Sequence, residues 1–464
     1  MALLRKEPQL QEERDESARY SIAVGNTIGE LARALFPGGV LVPFSDDKFE
    51  RTRELIEEQT PVIYEAAFQG GQAVAILDVL VRQPDGTYHA YEAKSAKSAK
   101  DSYYYELAIQ GVVAAENGVR ISGYFIIHVN GDSLYDGSSY TTDLLSITEV
   151  TPHIVNELDV TSVNLALMHN VMNADKVPDA DLKFVCKGCH LIEHCHGVLP
   201  DDHQLFLPGM TTKEFETVRG GGTIVFSDNP TKVKDFQRVN FSHALKQQGC
   251  VTAEGKQTLA DASFPQVFLD FEVFAARLPI FAGTKPYDQL QFQFSAHIRE
   301  HAGAELQHVE YLPEHDQDPR AEFGARLHQI IKDAGTIFTY SHYEGTQLRN
   351  MLKNEFEFAD LNVAKLEQCE IDLYKVVKRH TYHPKYRGSF SIKSVLPAWV
   401  PELSYKELAI QDGITAAIQY GRLIQLLGTP EGDQLRADML AYCRLDTLAM
   451  VKVYDALLAF EPKA

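Results

Sequence analysis

The sequence predicts an α/β protein of two modules, each a mixed sheet flanked by helices. Three observations carry that expectation. The chain has 464 residues, more than one ordinary domain holds. Residues 12–129 read as helix, three strands, helix, strand, and a fresh alternation of strands and helices opens at Gln266. Apolar content of 45% and charged content of 23% are those of a folded globular chain.

In the first module, Ile22, Val24, Ile28, Leu31 and Leu35 recur at roughly helical spacing, and Pro37-Gly38-Gly39 stops the helix. Strands are expected from Val62 to Phe68, Ala73 to Val81 and Tyr88 to Glu92, with Gly70-Gly71 and Pro84-Asp85-Gly86 as the turns between them. A helix from about Tyr103 to Glu116 and a strand from Ile121 to Val129 follow. Residues 201–262 show no catalytic pattern and include Gly220-Gly221-Gly222, so they read as a junction between a module of 1–200 and one of 263–464. In the second module, strands are expected at Gln266 to Leu269, Leu290 to His297 and Thr336 to Tyr340, with another at Leu306 to Leu312. Helices are expected near Arg320 to Ala334, Gly345 to Leu352 and Asp433 to Phe460.

A net charge of −20 excludes nucleic-acid binding by bulk charge, so any such site is a local patch. The amino terminus, with Arg5, Lys6, Glu7, Glu12, Glu13, Arg14, Asp15 and Glu16, lacks the apolar core of a signal peptide, and no apolar run approaches a membrane span. The expectation is a cytoplasmic protein without a membrane partner. Six cysteines are too few for a disulfide scaffold in a chain of this length, and three of them crowd between Cys186 and Cys195, a spacing that suits metal.

The carboxylates carry the chemistry. The strand Val267-Phe268-Leu269 runs into Asp270-Phe271-Glu272, placing two acids at period two on one face. Downstream, Tyr340-Ser341-His342-Tyr343-Glu344 supplies another acid, and Tyr442-Cys443-Arg444-Leu445-Asp446 puts a tyrosine and an acid four residues apart on a helix. Four acids in one cleft repel one another unless divalent metal is present, with magnesium or manganese the expected ion. From Leu373 to Pro401 there is no acid, while Lys375, Lys378, Arg379, Lys385, Arg387 and Lys393 alternate with Tyr374, Tyr382, Tyr386 and Phe390. That pattern suits a single strand, with cations on phosphates and rings under bases.

In order and type, Asp-x-Glu, aromatic-acid and Tyr-x-x-x-Asp resemble the DEDDy branch of the DnaQ-like exonucleases. Arg387 to Lys393 is similar to the Ser-x-Leu-Lys element before the last motif, and Glu370-Ile371-Asp372 to the intervening acidic strand. The resemblance implies an RNase H-like fold and 3′-to-5′ phosphodiester hydrolysis. It implies metal at Asp270, Glu272, Glu344 and Asp446, with Tyr442 orienting the attacking water. Ser341 and Glu344 stand where that family has Asn and Asp.

In the first module, Asp78 lies in the strand Ala75 to Leu80, and Glu92-Ala93-Lys94 closes the next. Two carboxylates and the Ala93 carbonyl can bind magnesium, while Lys94 can position a water and stabilise developing charge. With Glu65 before them and Gln110 on the following helix, these residues resemble the RecB-like PD-(D/E)XK nucleases, whose fold is restriction-endonuclease-like. That branch has a Tyr four residues after the Gln, where this chain has Ala114, and a Pro before the Asp, where it has Leu77.

Cys186-x-x-Cys189-x5-Cys195 resembles the three C-terminal ligands of the iron-sulfur cluster in that branch. No cysteine precedes Cys186, and His190, His194, His196 and His203 lie nearby, so an iron-sulfur cluster and a Cys3His zinc site both remain open. Cys250, Cys369 and Cys443 read as packed thiols. With Pro279-x-x-x-Gly283-Thr284-x-Pro286-Tyr287, the chain is similar to a bacterial family that joins both modules. The resemblance implies DNA processing on single strands or free 3′ ends. No Walker-type loop is present, since Glu254-Gly255-Lys256-Gln257 lacks its spacing, so unwinding falls to a helicase or other motor partner. Two further readings stay open: one active module with the other a nucleic-acid clamp, and a non-catalytic zinc-dependent scaffold.

Overall fold

The computed structural model describes residues 16–71, 73–176, 179–201, 203–221, 237, 249–354 and 367–461. The charged stretch from Arg5 to Asp15 and Gly222 lie outside the described residues. The expected class, mixed sheets flanked by helices in both halves, is what the chain adopts.

The first unit comprises residues 1–179 and 275–289. Its six-stranded sheet runs in chain order through β1 (Val40–Leu41), β2 (Val62–Gln69), β3 (Val74–Arg82), β4 (Tyr88–Lys94), β5 (Ile121–Val129) and β6 (Leu145–Glu149). Strands β2, β3 and β4 form an antiparallel meander, whereas β5 lies parallel to β4. That parallel pairing needs a crossover, supplied by the helix α3 (Asp101–Glu116). Ile63, Phe68, Leu77, Leu80, Leu107, Val113, Tyr124 and Ile126 form a core on one side. A smaller cluster joins α1 (Glu16–Ala34), through Val24 and Ile28, to Ile127, Val129, Leu144 and Leu278. Leu278 comes from the segment 275–289, which is therefore a structural part of this unit although it leaves a strand of the other. The helix α2 (Lys48–Glu57) and the short strands β1 and β6 have no counterpart in the sequence-based expectation: β1 is two residues long, α2 has only Phe49, Leu55 and Ile56 as large apolar residues, and β6 only Leu145 and Ile147.

The second unit comprises residues 180–274 and 290–464. Its sheet contains β7 (Gln266–Ala275), β8 (Gln289–Arg299), β9 (Gln307–Tyr311), β10 (Thr336–Thr339) and β11 (Glu370–Asp372), in the order β9, β8, β7, β10, β11. The strand β7 pairs parallel with β10, β10 pairs parallel with β11, and β8 pairs antiparallel with β9. Val267, Leu269, Phe271, Phe294, Phe323, Leu327 and Ile337 pack one core against α4 (Arg320–Ile331). The unit also holds the helices α5 (His342–Asn354), α6 (Leu373–His380), α7 (Ile392–Trp399), α8 (Gly413–Gln425) and α9 (Pro430–Ala459), shorter helices at Ile192–His196, Thr212–Arg219 and Ala253–Ala260, and a two-stranded sheet of Cys250–Val251 with Thr381–Tyr382. The sequence places a boundary near residue 200, whereas residues 180–200 belong to this unit. The reason is apolar: Leu182, Phe184, Ile192 and Leu199 pack on Leu205, Phe206, Leu207, Met210 and Phe215.

Because Leu278 is 7% exposed inside the first unit's second cluster, Leu278→Ala is expected to destabilise that unit by about 2–5 kcal/mol. Urea unfolding followed by amide exchange in β5 and α1 checks this. Protection there should fall, while protection in β10 stays unchanged.

Candidate functional site

The strand β7 is buried through Val267, Phe268 and Leu269, as an interior strand with both faces covered requires. Its later residues Asp270 and Glu272 alternate onto one face. On α9, Tyr442 and Asp446 are four residues apart and share a side of the helix. Carboxylate oxygens of Asp270, Glu272 and Asp446 all lie within 4.8 Å of one another, and this is the one such group of His, Cys, Asp or Glu among the described residues. The arrangement can hold a metal ion.

The electrostatics agree with the geometry. Burial, then the neighbouring acids, pushes Asp270 well above the usual carboxylate range. Burial together with Asp446 and Glu344 takes Glu272 up to about 8. Burial lifts Asp446 to about 6, against hydrogen bonds from Tyr405 and Tyr442 and the charge of Lys393 that pull it down. Glu344, in the first turn of α5, is also raised by burial, and it accepts a hydrogen bond of 2.6 Å from Ser341 Oγ. The Ser341 and Glu344 pair that departs from the resembled motif is thus a bonded unit beside the other acids.

Two residues of the site carry more than the sequence reading assigns them. Tyr405 Oη donates to Asp446 Oδ1 at 2.6 Å. Lys393 donates to Tyr442 Oη at 3.4 Å and also to the Gln411 carbonyl, and its Nζ lies 5.3 Å from the Tyr442 ring centre and 5.6 Å from that of Tyr405. Burial, then Asp446, raises both tyrosines far above their ordinary range, so they act as hydrogen-bond donors. No spacing rule links Tyr405 to Asp446. The basic run instead reads Lys393 as a phosphate contact, and the fold turns it inward on α7.

The remaining cations of that run divide. Arg379 and Lys385 are exposed, and Lys378 is half-buried with its Nζ 5.4 Å from the Tyr374 ring centre. Arg387 adopts a left-handed φ of 46°, stacks 4.1 Å from the Phe206 ring centre and pairs with Asp201 at 3.7 Å. It ties its loop to the cluster around Phe206.

In the first unit, Ala93 N donates to Asp78 Oδ2 at 2.7 Å, Gln110 Nε2 donates to Glu92 Oε2 at 2.8 Å, and Lys94 Nζ meets Glu92 Oε1 at 2.7 Å. Gln110, Glu92 and Lys94 are therefore joined side chain to side chain, and Asp78 meets the backbone between the last two. Glu106, one turn before Gln110 on α3, joins them by pairing with Lys94 at 2.7 Å; its i−4 position on the same helix face was the available signal. Burial and neighbouring charge raise Asp78 to about 6 and Glu92 to about 8. Burial works against the Lys94 ammonium, but its ion pairs with Glu92 and Glu106 outweigh that and raise it. Glu65 pairs with Arg33 at 3.5 Å and holds a φ of 55° between residues that pair with Val79 and Leu77. Such a conformation in a non-glycine residue costs of order 1–3 kcal/mol and is concentrated at functional sites.

Cys186, Cys189 and Cys195 are free thiols of the second unit, Cys186 and Cys195 on two short helical turns and Cys189 just after the first. Cys186 Sγ accepts from Lys183 N at 3.4 Å. Among the described residues, no three of these sulfurs and the adjacent histidines gather within 4.8 Å. Cys443 is buried against Asp270, and Cys250 and Cys369 are half-buried.

Residues 267–391 match the family model described as a domain of unknown function, DUF2779. The match takes in Asp270, Glu272 and Glu344 and stops before Lys393, Tyr442 and Asp446. No curated protein and no solved structure matches the chain. Among the described residues, no helix is long and apolar enough to cross a membrane.

The raised acids give a test that needs no substrate. Folded Glu272 holds a proton up to about pH 8, while a free glutamate sheds it near 4.5. The metal-free folded state therefore binds more protons than the unfolded chain between those values, and its stability falls as pH rises through that window. Melting in chelator should show Tm dropping from pH 5 to pH 8, with Mn²⁺ or Glu272→Gln shrinking the drop. A flat profile in chelator contradicts the site as described.

Proposed function

We propose that the second unit is a metal-dependent 3′-to-5′ exonuclease acting on single-stranded DNA or free 3′ ends. The observation that carries the reading is the convergence of Asp270, Glu272 and Asp446 within 4.8 Å beneath Tyr442 and Lys393. Magnesium or manganese at these carboxylates would supply Lewis-acid stabilisation of the attacking and leaving oxygens of a phosphodiester. The chain's own groups do the rest. Tyr405 fixes the rotamer of Asp446, and Ser341 fixes Glu344. Tyr442, protonated and held by Lys393, presents a hydroxyl that orients a water, and the Lys393 ammonium offsets charge developing on the phosphoryl oxygens.

The first unit supports a second hydrolytic reading of the PD-(D/E)XK type. Asp78 and Glu92 would hold the cation, Gln110 orients Glu92, and Lys94 positions the nucleophilic water. The bacterial two-module resemblance favours both. Cys186, Cys189 and Cys195 keep both readings, an iron-sulfur cluster and a Cys3His zinc site.

Strands labelled at the 5′ or 3′ end, incubated with Mn²⁺ or chelator, test these readings. A ladder shortening from the 3′ end is expected, lost by about 10²-fold or more in Asp270→Asn and by about 10²-fold in Tyr442→Phe, and surviving Lys94→Ala. Cleavage that persists in Asp270→Asn and disappears in Glu92→Ala would transfer the activity to the first unit.

A further inference from the structure

From Lys94 to Lys100 the chain reads Lys-Ser-Ala-Lys-Ser-Ala-Lys, a cation at every third position with small residues between and no acid. The run leaves the end of β4, the strand that carries Glu92. Lys97 and Lys100 are exposed. In a chain of net charge −20, such a patch is the kind of local feature that phosphate binding requires.

Aromatic rings lie under these cations. Lys94 Nζ is 5.4 Å and Lys100 Nζ 6.0 Å from the Tyr103 ring centre, and Lys97 Nζ is 5.2 Å from that of Tyr287. Tyr103 stands on α3. Tyr287 comes from the segment 275–289, at a left-handed φ of 64°, and its hydroxyl donates to the Ser95 carbonyl. The same segment brings Arg277, whose guanidinium donates to Ser95 Oγ at 3.3 Å and lies 5.5 Å from the Tyr20 ring centre. Among the described residues, Lys97, Lys100 and Arg277 enter no ion pair with a carboxylate. A lysine run kept only for solubility needs neither rings beneath it nor a segment returning to hold its backbone.

We propose that Lys97, Lys100 and Arg277, with the Tyr103 and Tyr287 rings, form the track on which single-stranded nucleic acid lies beside the acids of the first unit. This rests on reading Asp78, Glu92 and Lys94 as a hydrolytic site. The cations meet successive phosphates and the ring faces take unstacked bases, which a duplex keeps covered. The segment 275–289 thereby becomes part of the binding surface, supplying one ring and one cation.

The test uses the full chain with Ca²⁺ in place of Mg²⁺ and a fluorescein-labelled oligo-dT, with binding followed by anisotropy across a salt series. The double variant Lys97→Glu with Lys100→Glu should weaken binding about tenfold. It should also flatten the slope of log K against log salt by about 1.4, two phosphate contacts at about 0.7 each. Arg53→Glu, on the exposed face of α2, should change neither. Oligonucleotides carrying 5-iododeoxyuridine should photo-crosslink to Tyr103 or Tyr287 in the wild type and lose those crosslinks in the double variant. Unchanged affinity and slope, absence of crosslinks from both tyrosines, or an equal loss for duplex of the same length would each overturn the assignment. In the Asp270→Asn background, residual cleavage unaffected by Glu92→Ala would remove the hydrolytic reading of the first unit and leave the binding result to decide the track by itself.

Discussion

Like charges held close in a medium of low polarisability raise the energy of the folded state, and the second unit concentrates this cost at Asp270, Glu272 and Asp446, within 4.8 Å of one another. Without a cation the cluster relieves the repulsion by keeping protons. With one, it can ionise fully. Much of the surrounding architecture is an answer to that demand. The strand β7 is fixed by Val267, Leu269 and Phe271 in the core, and α9 is pinned to β8 by Thr447, which bonds both Ser295 at 2.7 Å and His297 at 2.8 Å. Burial holds His297 down at about 4, so this pin stays neutral at physiological pH and adds no charge behind the acids.

The first unit meets a smaller version of the same demand differently. Its acids Asp78 and Glu92 are bound internally, by Ala93 N, Gln110 and Lys94. Lys94 sits between Glu92 and Glu106 at 2.7 Å from each, acting as a resident cation. In the second unit Lys393 contacts Tyr442 and the Gln411 carbonyl, so its charge is shared with the acids only at longer range. The second site is therefore the less neutralised by its own side chains.

Sequence order made the acids legible, because a strand that alternates faces and a helix that repeats near four residues fix which side chains share a side. The meander of β2, β3 and β4 was equally legible from its turns: Gly70 N bonds Ala73 O at 2.9 Å, and Gly86 takes a φ of 83°. What the pattern did not reveal are partners set by contacts distant in sequence. Tyr405 reaches Asp446 across 41 positions, and Leu278 fills a core begun by Val24 and Ile28. The basic run from Lys375 to Lys393 shows the opposite failure. It reads as one surface, yet Arg387 is spent on Phe206 and Lys393 on the acid site, because composition alone cannot say which face a loop presents.

The segment 275–289 belongs to the first unit although it leaves a strand of the second. It begins three residues after Glu272 and bonds Ser95, the residue after Lys94, twice: Arg277 on its Oγ near the start of the segment and Tyr287 on its carbonyl near the end. The segment is the exit from the strand end that holds Asp270 and Glu272. Leu278 in the first unit's core and the Tyr140 hydroxyl on the Pro279 carbonyl at 3.0 Å anchor the far side of that exit. Within the first unit the segment is fastened by Leu278 in the core, by Tyr140 on Pro279 and by Tyr287 on Ser95, which gives its left-handed tyrosine a reason to bear the conformational strain.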